Sequence, residues 1–333
     1  VLGGLAVIVL LLVAIVAARL GREPTIPPPP RSIAELGPLP AAGPWDVLVR
    51  EARPLERGPR PDDLHARLAH SVTDESLVLD ASMREAVAAL DPTALAPLGP
   101  IVEAIFSGAR FEDRCVDVTG RCPGLEMHRA VQAAELVILA RWIAGDRAGA
   151  ASLLGRVLAA TLDLAQTGRA VMPQAVGVAT LVRAAGLLVM LARDGLAPDA
   201  PLLAVLERIE RDEVDLGRGW ITEMSVAEHT LRTVPVGGTI EALLFDRGRL
   251  AADVYDAQEA CVTYARDPSA AVPAPLPLPA GTLHVSGATE IALIEALLPE
   301  CTSMLDETRR RHAQARARVA LARAEIARRA PQP

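Results

Sequence analysis

Between Met127 and Thr167 an apolar pattern of helical period is interrupted once, at Gly145-Asp146. Before the break, Ala134, Val137, Ile138 and Arg141 fall along one side, with Leu136, Leu139 and Ile143 nearby. After it, Ala150, Leu154, Val157, Leu158 and Thr161 keep the same period. Gly145 can adopt a positive φ that closes the first helix, and Asp146 can accept the orphan N–H bonds that open the second. So short a link forces the two amphipathic helices antiparallel, which makes an αα-hairpin. Capping accounts for Asp146, so no catalytic role is assigned to it.

Composition extends this reading to the whole chain. Aromatic residues make up only 2% of the 333 residues, so a core has to be assembled from Ala, Leu and Val. Small side chains let helices approach closely, and an all-α architecture follows. All 34 basic residues are Arg, and neither Lys nor Asn occurs, a pattern that codon bias in a GC-rich bacterial genome produces. The formal charge of −7 disfavours nucleic acid as a partner, because neutralising phosphates requires a positive surface. The stretch from Asp306 to Arg329 is locally basic, with eight Arg against three acids.

Residues 1–18, VLGGLAVIVLLLVAIVAA, carry no charge and are long enough to span a bilayer, so residues 1–20 read as a transmembrane anchor. A cleaved signal ending at Val16-Ala17-Ala18 is the rival. Arg19, Arg22 and Arg31 after the span favour a cytoplasmic body. Two other features favour export. Cys115 and Cys122 enclose a short polar segment suited to a local disulfide, and Pro27–Pro30 make a stiff stalk. The expectation is a single-pass protein of the bacterial inner membrane with a periplasmic body.

The chain divides on paper into that anchor, a Pro-rich linker at 21–44, a helical-repeat body at 45–266, a Pro-rich connector at 267–285 and a C-terminal helix pair at 286–330. In the body, Trp45, Val47 and Leu48 begin a helix that Pro54 is expected to end. Asp91-Pro92 stops a second, and Ile101, Ile105 and Phe106 give a third its apolar face. Gly195 stops the long apolar helix before it, and Asp199 caps the next, with Pro201 in its first turn. Met224, Ala227, Leu231 and Val234 share one face; Leu250, Val254, Ala257, Cys261 and Tyr264 share another. The last helix carries Leu305, Thr308, His312, Ala315, Val319, Ala322 and Ile326 as a narrow stripe. Packing along its own body is the default expectation for it.

The segment AGDRAGAASLLGRVLAA resembles the turn and second helix of a tetratricopeptide repeat, with Ala150, Leu154 and Val157 at the small, large and small packing positions. The first helix departs from that pattern: Arg141 stands where the repeat has an aromatic and Ile138 where it has Gly, and no Pro closes the repeat. More broadly, LLFDRGRLAADVY and GARFED resemble segments of membrane-anchored helical proteins of GC-rich bacteria. The resemblance implies an antiparallel helical-hairpin solenoid and no particular activity.

Phosphate-loop, nucleophile-elbow and zinc-protease signatures are missing from the sequence, and no cofactor or metal is implied. His65 and His70, beside Asp62 and Asp63, are five apart and would not align on a helix. Glu228 and His229 are the catalytic candidates, since a carboxylate beside an imidazole can move protons. An ordinary polar face, with Glu228 paired to Arg232 four residues on, explains them more simply. Glu126 and His128 pose the same question. Cys261 and Cys301 fall on apolar stripes and read as small hydrophobes or, after export, as a second disulfide.

The expected function is therefore a membrane-tethered scaffold for an unidentified protein or peptide, in contact with the bilayer through residues 1–18. The alternatives are a periplasmic hydrolase-like enzyme whose site assembles only on folding, and a structural spacer.

Overall fold

The computed structural model describes residues 25–56, 77–114, 124–233, 247–273 and 301–329. Among the described residues the secondary structure is helical throughout, without a strand. In chain order the α-helices are α1 (Pro44–Glu56), α2 (Ala81–Ala88), α3 (Pro92–Leu95), α4 (Leu98–Ile105), α5 (Gly124–Ile143), α6 (Arg147–Thr167), α7 (Val171–Arg193), α8 (Ala200–Arg211), α9 (Gly217–Thr233), α10 (Arg247–Arg266) and α11 (Cys301–Arg329). A 3₁₀ turn at Ile33–Leu36 precedes them.

These elements form two compact units. The larger contains 38–56, 77–114, 124–219 and 304–329, and the smaller contains 25–37, 220–233, 247–273 and 301–303. Ile26 and Leu36 of the Pro-rich segment are buried, and that segment belongs to the unit of α10.

In the larger unit α5, α6 and α7 pack on one another, α1, α2 and α4 lie on α5, and α8 lies on α6. Backbone chemistry sets the hairpin between α5 and α6. Gly145 has φ +92°, Gly145 N donates to Trp142 O, and Asp146 N donates to Arg141 O, which is a Schellman closure. Asp146 then caps α6 by accepting from Gly149 N at 2.9 Å. The same closure ends α7 at Gly195, where Leu196 N donates to Leu191 O. Asp199 caps α8 through Leu202 N.

The middle helices are buried more completely than an amphipathic stripe requires. Along α5 the run from Ala133 to Leu139 is buried on every side, because α5 is flanked by α1, α2, α4, α6 and α7. Gly177 lets α7 approach the backbone of α6: a Cβ there would lie 2.5 Å from Ala165 N. By length and apolar composition α6 and α7 could each cross a membrane. Most of each apolar window, 72% for α6 and 78% for α7, is buried inside the protein itself. Core packing thus accounts for their hydrophobicity.

One local expectation is corrected. α1 does not end at Pro54; its backbone stays helical to Glu56. A proline in the last turn removes one N–H bond, and a helix with only two residues left to run tolerates that loss.

The stripe on α11 is buried as far as Ala322: Leu305, Thr308, His312, Ala315 and Val319 lie inward with it. From Met304 onward α11 packs in the larger unit and is held largely by arginines. Arg318 donates to Val182 O at 3.0 Å, Arg316 to Glu213 and to Glu210 O, Arg323 to Glu210, and Arg329 to Arg193 O.

Candidate functional site

Several carboxylates inside the larger unit accept from arginines or backbone N–H groups of neighbouring helices. Glu135 of α5 and Arg183 of α7, both nearly inaccessible, form a two-pronged ion pair at 2.9 and 2.5 Å. Asp163 of α6 accepts from Phe111 N at 3.0 Å and from Arg208 of α8 at 2.8 Å. Asp113 accepts from Arg169 N. Glu103 of α4 receives Arg141 of α5 and Arg156 of α6, each at 2.5 Å. Burial opposes ionisation of Glu103, but the two arginines outweigh it and hold the carboxyl below its usual range. Asp194, after α7, accepts from Arg84 of α2 and from the indole N–H of Trp142, whose ring lies under Arg147. These carboxylates accept from guanidinium, indole or backbone donors. They join helices to each other, and proton transfer to a substrate would break those joints.

The sequence candidates for catalysis sit elsewhere, on α9. Glu228 is half-buried and accepts from Arg232 Nε at 3.2 Å and Nη2 at 2.9 Å. His229 is exposed, and its carbonyl accepts from Thr233 Oγ1. The carboxylate is thus committed along the helix to Arg232. Glu126 and His128 lie on α5, where His128 shares a hydrogen bond with Gln132 at 3.2 Å.

A group not singled out in the sequence lies close to Glu228. Tyr255 of α10 is buried and its hydroxyl has no hydrogen-bond partner among the described residues. Burial first, and the nearby Glu228 carboxylate second, push the phenol up to about 12, against the opposing effect of Arg232. It therefore remains a protonated donor at any physiological pH. Trp220 Nε1 on α9 is a second buried donor in the same condition. Only the rarity of Tyr and Trp in this sequence could have drawn attention to them, since both fall on ordinary apolar faces.

Cys261 and Cys301 are joined as a disulfide, with Cα atoms 6.2 Å apart, linking α10 to the start of α11. Cys115, Cys122, His65, His70 and residues 1–18 lie outside the described residues. Among the described residues no group of three His, Cys, Asp or Glu side chains is placed to hold a metal ion. The chain matches no protein-family model, no curated protein and no solved structure.

Proposed function

We propose that this chain is a membrane-tethered helical scaffold, anchored through residues 1–18, with a periplasmic body that binds a protein or peptide. The observation that carries the reading is the α5–α6 hairpin. Its Gly145-Asp146 turn and buried Ala150, Leu154 and Val157 support a tetratricopeptide-like unit of the kind that stacks into binding surfaces. The carboxylates bound to arginines also fit a framework role, and the Cys261–Cys301 disulfide favours an oxidising compartment. Burial of α6 and α7 within the body leaves residues 1–18 as the segment proposed to hold the membrane.

The test is photocrosslinking of the full-length chain in intact membranes, followed by a binding titration with the purified partner. A reproducible partner with saturable affinity supports the scaffold. Turnover of an ester or peptide substrate that is lost in Glu228→Gln would replace it with the enzyme, and absence of any partner would leave a spacer.

A further inference from the structure

The Pro-rich segment that follows the apolar run is pinned at both ends. Ile26, just before Pro27–Pro30, is 6% exposed, and Leu36, just after, is equally buried. Between them Arg31 grips Glu259 of α10 with two bonds, Nε to Oε2 at 2.7 Å and Nη2 to Oε1 at 2.6 Å. Glu35 stands 3.5 Å from the same guanidinium. Ser32 and Glu35 complete a capping box that folds the 3₁₀ turn. A polyproline run has no internal hydrogen bonds and resists bending, so fixing its two ends fixes all of it.

Chain length then limits where the smaller unit can sit. From Ala18 to Thr25 there are seven residues, which reach no further than about 25 Å when fully extended. Had the segment been free as far as Pro44, the reach would be about 90 Å. Among its described residues the smaller unit carries five Arg against seven carboxylates, so attraction to anionic lipid does not draw it to the surface.

We propose that residues 26–37 act as a strap rather than a stalk, holding the smaller unit beside the lipid surface. This inference rests on the tether reading of residues 1–18. Its partner is the lipid surface itself, reached through covalent proximity rather than charge.

The experiment uses the full chain in phosphatidylcholine vesicles, with a donor fluorophore at the exposed position 256 on α10 and an acceptor on the headgroups. Energy transfer is expected to be high and unchanged by salt. The strap-release variant Ile26→Asp/Arg31→Glu/Leu36→Asp should roughly double the mean tether span, from about 15 to about 28 Å, and lower the transfer accordingly. The swap Arg31→Glu/Glu259→Arg should keep the native value, and far-ultraviolet circular dichroism checks that each variant is folded. Low transfer in the native chain, or equal transfer in all three, overturns the strap while leaving the anchor intact. Failure of the native chain to float with vesicles overturns the anchor, and the strap with it.

Discussion

Helix α7 and the Met304–Arg329 part of α11 are long helices of one unit held by opposite means. α7 is buried around most of its circumference, from Val178 through Ala192. Each fully buried Leu of this kind contributes about 1.5–3 kcal/mol. Within that buried middle, Arg183 brings in a charge and meets it with Glu135 of α5. α11 buries the narrow stripe of Ala315, Val319 and Ala322, and its arginines do much of the remaining holding. Three of them, Arg316, Arg318 and Arg329, reach backbone carbonyls of α8, α7 or their ends. Area is insensitive to direction, whereas bonds to a carbonyl fix it; α7 is thus stabilised by amount and α11 by position.

The largest effect should come from breaking the ion pair in the apolar helix. Arg183→Ala removes the guanidinium that meets the Glu135 carboxylate in the core and should cost about 3–5 kcal/mol, read as a shift of the urea midpoint with unchanged slope. Replacing both residues by Leu and Met should recover most of that. Recovery of nothing would mean that the pair does more than neutralise itself.

Next is Cys301→Ser, which opens a loop closed over 40 residues and should cost about 2–4 kcal/mol. If arginines hold α11 independently, amide exchange should quicken in α10 and stay slow beyond Met304. Uniform quickening of α11 would blur the contrast with α7.

Arg318→Met keeps most of the side-chain volume and removes the bond to Val182 O, for a loss of about 1.5–3 kcal/mol. Exchange should then quicken in α11 and not in α7.

The smallest effect is pH-dependent. His312 is buried, and burial lowers its affinity for a proton; Glu213 pulls the other way and Arg316 adds to the lowering. Its folded value therefore lies below the unfolded value of about 6.5. Below that pH the unfolded chain takes up the proton first, so stability is full above about 6.5 and declines as pH falls. His312→Leu should flatten this part of the stability curve, and an unchanged slope would assign it to other groups.

How much of this was readable in advance depends on the range of the signal. The α11 stripe repeats every three or four residues, so Leu305 through Ala322 could be placed inward without knowing their neighbours. The Gly145-Asp146 turn is equally local, a positive φ followed by a cap. Arg318 was not readable: it sits in an arginine-rich run that suggests solvent, and its partner is 136 residues away. The same holds for Glu135 with Arg183, 48 residues apart. Alanine misleads in the other direction. It marks the inward side of α5 correctly but gives no warning that the opposite side is covered as well. On α9, Glu228 and Arg232 are one turn apart and legible as a pair, whereas the approach of Tyr255 depends on α10 folding back.

The arginine bonds of α11 also set a register. A slide of one helical turn, about 5.4 Å, would preserve much of the Ala-rich contact, since one small side chain replaces another. It would carry Arg316, Arg318 and Arg329 past their carbonyls together, so the helix has one seat along its length and no gradual path out of it.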